Sequence, residues 1–361
     1  MQIIDTDTHL REGYCLDEVY SLEGEFVEFT PRRVADGAYH QIKFEHRLNP
    51  WGMKVDKANS HRSLYDPGRW DGRIARMQPG GFDMEKRSRD FEGTGIDKQV
   101  VFGTSVDIPV LTEGPLGLAL SVAYNDWVHG LLKDYTDVMY PVAVAPAGHP
   151  EAMAGELRRA VNELGCKAGL LAPYSLKLNL DDAAFDDYYR AAVELDVPLF
   201  VHPNTQGVLT NRFTNFYAMH TLARPTNCSA ALVALVIGGV FEKFPALRVA
   251  FFECGVEWLL YWMHRMDATY DYLRDDYAPY LTMKPSDTVR RNCYVTCDAR
   301  EKVLPAALGE IGEDRVLMSS DYPHWDTGFP HVVKEIQDRD DITDRQKEMI
   351  LSDNPRSLLG L

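Results

Sequence analysis

The chain has 361 residues, 45% of them hydrophobic, with 54 acidic against 38 basic side chains and a formal net charge of -16. Such a surface repels nucleic acid and anionic membrane, and no run of basic residues offsets it. The six cysteines are scattered without a CxxC pair, which predicts reduced thiols in a cytoplasmic protein; no basic segment precedes the first apolar residues, so no signal peptide is expected, and the apolar run Ala230–Val240 is too short to span a bilayer.

In chain order, short apolar runs predict strands at Gln2–Asp7, Gln99–Thr104, Val138–Ala145, Lys167–Ala172, Pro198–His202, Arg248–Glu253, Cys293–Asp298 and Arg315–Ser320. Amphipathic stretches between them predict helices at Leu116–Tyr135, Pro150–Leu164, Asp181–Leu195, Thr221–Phe244, Val256–Tyr272 and Glu301–Ile311. Alternating strands and helices imply parallel pairing through right-handed crossovers, and eight units suggest a closed (β/α)8 TIM barrel. The chain therefore reads as a single domain, 1–361, with one irregularity: residues 11–81, an insertion after the first strand. Its Tyr14, Tyr20, Phe26, Phe29, Phe44, Trp51 and Trp70 suit a lid over the barrel mouth, or equally a structural cap.

In a barrel of this kind the C-terminal ends of the strands share one rim. The first strand runs into Asp5-Thr6-Asp7-Thr8-His9, the fifth ends in His202, the sixth in Glu253, and the eighth in Asp321 with His324 and Asp326 just beyond. Taken singly, each has an ordinary explanation as a packed core histidine or a helix cap. Taken together they put several carboxylates and histidines into one small space, and burying those charges uncompensated would cost many kcal/mol. A divalent metal removes that cost, and a mixed histidine and carboxylate set suits Zn, Mn or Fe.

The strand ends, with GGVFEKFPALRVAF, PLFVHP, SSDYPHWD and the closing DNPRSLLGL, resemble the amidohydrolase superfamily, and within it the amidohydrolase-2 branch that includes aminocarboxymuconate-semialdehyde and resorcylate decarboxylases. The resemblance implies a metal-bearing barrel in which His9, His202 and Asp321 match family ligands. Departures stand out. Asp7 precedes His9 where the family usually has histidine or glutamate; Glu253 stands where the decarboxylases place a histidine; and Leu170-Leu171-Ala172 leaves no lysine on the fourth strand to be carbamylated. The Asp-x-His start, the sixth-strand glutamate and the DYPHWD end also resemble the TIM-barrel non-haem di-iron monooxygenase of platensimycin and platencin biosynthesis.

That narrower resemblance implies a di-iron monooxygenase of secondary metabolism. It would hydroxylate an unactivated C–H of a bulky apolar, terpenoid-type substrate carried as a CoA thioester, using O2 and an electron donor. Two Fe ions would be held by Asp7, His9, His202, Glu253, Asp321 and His324, with Glu253 as the bridge and Glu253 and His324 as the catalytic pair. The alternative is one Zn or Mn on Asp7, His9, His202 and Asp321, in a non-oxidative decarboxylase or hydrolase where Glu253 or His324 shuttles a proton. A third reading, a barrel that has lost catalysis and serves as a scaffold, conflicts with the intact strand-end set. Asp5, His220 and Asp326 are candidates for contact with the ligands, and Tyr174 for contact with substrate. Apolar helix faces suggest a homodimer.

Overall fold

The computed structural model describes residues 1–36, 39–44, 47–48, 76–173, 177–203, 215–326 and 328–361. Eleven strands occur among them. Eight are parallel and follow one another round a single sheet: β1 (Ile4–His9), β5 (Lys98–Phe102), β6 (Met139–Ala143), β7 (Ala168–Leu171), β8 (Leu199–Val201), β9 (Val249–Phe251), β10 (Cys293–Cys297) and β11 (Val316–Met318). The other three, β2 (Arg32–Asp36), β3 (Tyr39–Phe44) and β4 (Arg47–Leu48), form a separate antiparallel sheet inside the insertion.

The eight-stranded sheet curls into a nearly closed TIM barrel. Its strands carry runs such as VAF and VLM that are buried throughout, as expected where one face meets the barrel interior and the other a helix. The last seam, between β11 and β1, is closed beyond the end of β11: Asp321 N donates to Asp7 O at 2.9 Å and His9 N to Tyr322 O at 2.6 Å. Thr6 Oγ1 reaches Met318 O at 2.7 Å across the same seam. The residues that close the barrel are thus the ones that carry the candidate ligands.

The expected strands are all present, displaced by a few residues. The displacement matters at β1, which runs two residues further than expected and takes His9 into the strand. Its register with β5 shifts between Asp5 and Thr8. A bulge of this kind breaks strict alternation, so Asp5, Asp7 and His9 do not simply share one face.

The helix Pro150–Leu164 has the expected bounds and ends on Gly165 in the left-handed region at φ 77, where glycine carries no Cβ penalty. The expected helix Thr221–Phe244 begins earlier and breaks. Asn215 caps its start, accepting from Tyr217 N at 2.9 Å, and Gly239 at φ 78 separates Phe216–Ile237 from Val240–Lys243. Met84–Phe91, Pro285–Asn292 and the C-terminal helices Val332–Gln337, Asp344–Glu348 and Asn354–Leu359 were not expected.

Of the insertion's aromatic residues, Tyr20 is fully buried beside Leu16 and Val19 in the main core. Trp51 and Trp70, and with them residues 49–75 of the expected lid, lie outside the described residues, as does Tyr174. All six cysteines are free. No helix among the described residues is long and apolar enough to cross a membrane.

Candidate metal centre

The ends of β1, β8, β9 and β11 each deliver one or two polar side chains to the same rim. One ligand atom from each of Asp7, His9, His202 and Glu253 lies within 4.8 Å of the others, and the same holds for His9, Glu253, Asp321 and His324. The six candidates therefore converge. Two of them, Glu253 at φ 59 and Asp321 at φ 56, sit in the left-handed backbone region that side chains other than glycine rarely adopt. The chain turns sharply out of β9 and β11 at the two carboxylates, a strain that clusters at functional sites.

The two histidines at the centre are oriented by backbone carbonyls. His9 Nδ1 lies 3.3 Å from Gly103 O, and His202 Nδ1 lies 3.1 Å from Pro203 O. A carbonyl only accepts, so each Nδ1 carries a proton and each ring turns its Nε2 to the rim. Those two Nε2 atoms are 3.1 Å apart. Carboxylates crowd the same point: Asp7 Oδ1 is 3.1 Å and Asp321 Oδ1 3.4 Å from His9 Nε2, while Asp7 Oδ2 and Glu253 Oε1 are 3.6 and 3.7 Å from His202 Nε2. Both carboxylate oxygens of Asp7 and Oε1 of Glu253 are buried without an aligned hydrogen bond. Converging lone pairs and orphaned carboxylate oxygens are the donor set of a divalent cation, and the residues fit one.

The electrostatics agree. Burial, and then the neighbouring His324, lower the pKa of His9 to about 4, so its ring is neutral. Burial also works against a charge on His202, but Glu253 and Asp7 outweigh it and raise its pKa to about 9. A divalent ion would compete with a proton for the Nε2 of His202. For Asp7, burial is the largest influence and raises its pKa, yet His202 and His9 together bring it below the usual carboxylate range. Burial raises Glu253, partly offset by Arg224, and raises Asp321 well above the usual range, helped by the charge of Asp7.

His324 is held differently. Its Nδ1 is 2.6 Å from Asp321 Oδ1 and its Nε2 3.2 Å from Thr104 Oγ1. The Thr104 hydroxyl donates its one hydrogen to Leu10 O at 2.6 Å, so it accepts from His324 Nε2. Burial lowers the pKa of His324 to about 3 and raises that of Asp321 above the usual carboxylate range. Both ring nitrogens are thus engaged within the protein.

The remaining candidates lie around this core. Asp5 Oδ1 accepts from Ser320 N at 2.9 Å and Asp7 N at 3.3 Å, bracing the β1 and β11 ends. His220 Nε2 is 3.1 Å from Asp326 Oδ2. Beneath the histidines, Phe102, Phe200 and Phe252 form an apolar floor, with centroids 4.9 to 5.8 Å apart.

Sequence reasoning missed two arginines. Arg224 places Nε 3.1 Å from Glu253 Oε2 and Nη1 3.0 Å from Asp326 Oδ2. Its spacing from His220, four residues on an otherwise apolar helix, puts both on one face and was the available signal. Arg87, fully buried, donates to His9 O at 2.9 Å, Thr8 Oγ1 at 2.5 Å and Gln99 Oε1 at 2.7 Å, and lies over the Tyr322 ring at 5.1 Å. It props the ligand-bearing end of β1 against the chain that follows β11.

Comparison with known proteins places this geometry. The amidohydrolase family model (Amidohydro_2) matches residues 4–361. A gamma-resorcylate decarboxylase of Polaromonas sp. is 26% identical over 251 residues, 66% of this chain and 77% of that one. The 2-amino-3-carboxymuconate-6-semialdehyde decarboxylase of Dictyostelium discoideum is 22% identical, covering 81% of this chain and 80% of its own. Among solved structures, an amidohydrolase from Mycobacterium avium subsp. paratuberculosis superposes with a TM-score of 0.82 at 18% identity, covering 99% of both chains. A 5-carboxyvanillate decarboxylase from Novosphingobium aromaticivorans, solved with bound manganese, gives 0.76 at 21% identity, covering 100% of this chain and 97% of its own.

These relatives overturn the expectation of a di-iron monooxygenase: they are decarboxylases. The two Fe ions, O2, the electron donor and the CoA-linked substrate fall with it. The physical reason lies in Arg224. The carboxylate excess that suggested a second metal is met in part by this guanidinium, which occupies one side of Glu253. With the family model matched over nearly its whole length, the chain belongs to the amidohydrolase family.

Proposed function

We propose that this protein is a metal-dependent decarboxylase that releases CO2 from a small aromatic or unsaturated carboxylate without an oxidant. Asp7, His9, His202 and Asp321 would hold one divalent ion, Mn or Zn. The observation that carries the reading is the pair of Nε2 atoms 3.1 Å apart, each ring locked by a backbone carbonyl, among carboxylate oxygens that have no donor. The decarboxylase relatives support the reaction type, and the structurally similar 2,6-dihydroxybenzoate and 5-carboxyvanillate decarboxylases support the substrate class. When bound, the ion polarises a substrate oxygen and orients the acid.

The chain's own residues do the rest. In such a reaction the C–C bond breaks, its electron pair stays on the carbon, CO2 leaves and a proton takes its place. Glu253 is the proton donor: burial favours the protonated form of its carboxyl, and Oε1 faces the site while Oε2 rests against Arg224. It stands where the decarboxylases this sequence resembles carry a histidine. His324, hydrogen-bonded to Asp321 and Thr104, orients the Asp321 carboxyl. The phenylalanine floor excludes water from below.

The test is CO2 release by Mn-loaded protein from 2,6-dihydroxybenzoate, 5-carboxyvanillate and related hydroxybenzoates, with and without O2. Equal release in both atmospheres is expected. Replacing Glu253 by Gln should lower the rate by about 100-fold or more with the metal retained. No CO2 from any carboxylate of this class, or release that requires O2, overturns the proposal.

A further inference from the structure

Glu253 poses a problem for a one-metal site. Its Oε1 lies within 4.8 Å of the ligand atoms of Asp7, His9 and His202. A carboxylate that close to a divalent ion normally ligates it, because the attraction between them exceeds that of a neutral hydrogen bond. A proton donor must stay off the metal, since a ligating carboxylate loses its proton.

Arg224 supplies the restraint. Its Nε is 3.1 Å from Glu253 Oε2, a charge contact on the side of the carboxyl away from the histidines. Its Nη1 bonds Asp326 Oδ2 at 3.0 Å, and that oxygen is also 3.1 Å from His220 Nε2. The His220 ring in turn rests against Trp325, centroids 5.2 Å apart. The guanidinium is thus pinned from behind, and only 16% of its side chain is exposed. Its planar fork spans two carboxylates, which an ammonium cannot do. On the other side of Glu253, Oε1 stands 3.7 Å from His202 Nε2 and 3.8 Å from His324 Nδ1.

We infer that Arg224 is a positioning residue that holds Glu253 off the metal, leaving one carboxyl oxygen turned to the substrate. The inference rests on the one-metal reading of Asp7, His9, His202 and Asp321. Without Arg224, the Glu253 carboxylate swings onto the ion and becomes an additional ligand, so the site holds its metal more tightly and protonates substrate poorly.

The experiment is a double-mutant cycle on the rate at which Mn-loaded protein loses Mn2+ to excess EDTA, read from the manganese left after desalting. Arg224→Gln should lose Mn2+ about 10-fold more slowly than the parent. In the Glu253→Gln background the same change should have little effect, because no carboxylate remains to swing. Equal slowing in both backgrounds assigns the effect to removal of a positive charge alone and overturns the inference, as does no slowing in either. Where Arg224→Gln does not fold, Arg224→Lys replaces it. Lysine keeps the charge but cannot span Glu253 and Asp326, so slowed loss is again expected and a parental rate overturns the inference. In turnover, Arg224→Gln should lower kcat with little change in KM, and added methylguanidine should restore part of kcat. Absence of CO2 release from every form would overturn the decarboxylase reading, while the Mn2+ cycle still decides the role of Arg224. A chain that retains no Mn2+ in any form overturns both.

Discussion

Arg87 is the sharpest place to test how the site is held. It is fully buried, and its guanidinium donates to Gln99 Oε1, His9 O and Thr8 Oγ1 at 2.7, 2.9 and 2.5 Å. Burial lowers its pKa only to about 10, so it stays charged at neutral pH. Replacing it by methionine keeps much of the volume and removes every donor. Each acceptor left buried and unsatisfied costs about 1–3 kcal/mol. Gln99 can relax, so a net loss of about 4 kcal/mol is expected. At about 2.1 cal/mol/K per residue, a chain of 361 residues has an unfolding entropy of about 760 cal/mol/K, so that loss lowers Tm by about 5 °C. The propped end of β1 carries Asp7 and His9, so metal affinity should fall about 10-fold as well. Calorimetry at a fixed scan rate reads the first effect and Mn2+ competition with a chelator the second. A Tm within 1 °C of the parent, with unchanged affinity, would refute the reasoning that Arg87 braces the ligand strand.

Removing the metal with EDTA should lower Tm, since an ion at about 100 times its Kd contributes about 2.7 kcal/mol; identical melts with and without Mn2+ would count against a metal centre. Asp7→Asn should cut Mn2+ affinity by about 100-fold, measured by competition with a fluorescent chelator, because Asp7 faces both His9 and His202. Asn125→Ala should destabilise the fold by about 3 kcal/mol in urea, because Asn125 bonds both the amide and the carbonyl of Val144 at the end of β6 and also reaches Glu156. Burial raises Glu301 to about 7, so the folded state holds that proton more tightly than the unfolded one does. The stability this gives is complete below about pH 4.5 and is lost as pH climbs through about 7, and Glu301→Gln should flatten that slope in melts at pH 5 and pH 8.

The barrel was legible because each β strand is a short apolar run and each crossover an amphipathic one, and because parallel topology sends every strand's C-terminal end to one rim. That rule alone brought Asp7, His9, His202, Glu253, Asp321 and His324 together from four separate places in the chain. What it could not supply was pairing. The contact of Arg224 with Glu253 depends on how the helix Phe216–Ile237 rotates against β9, and that rotation is set by packing rather than by spacing. Arg87 was hidden for the same reason, in a helix whose mostly charged residues read as surface. The bulge in β1 was hidden because alternating Asp, Thr, Asp, Thr, His looks like a regular strand.

Charge bookkeeping at the rim explains both the error and its correction. Asp7, Glu253, Asp321 and Asp326 carry four negative charges when ionised. Counting acids alone suggested two divalent ions. Arg224 already supplies one positive charge, held by two of those carboxylates. One divalent ion then leaves a single negative charge, and one proton on Glu253 or Asp321, both raised by burial, neutralises the cluster. A second divalent ion would displace that proton and leave the buried cluster positive beside Arg224, which low-dielectric surroundings oppose. The cluster balances with one metal and one movable proton. The proposed exchange of CO2 for H+ would use both, the metal to hold the acid and the proton to replace the departing group.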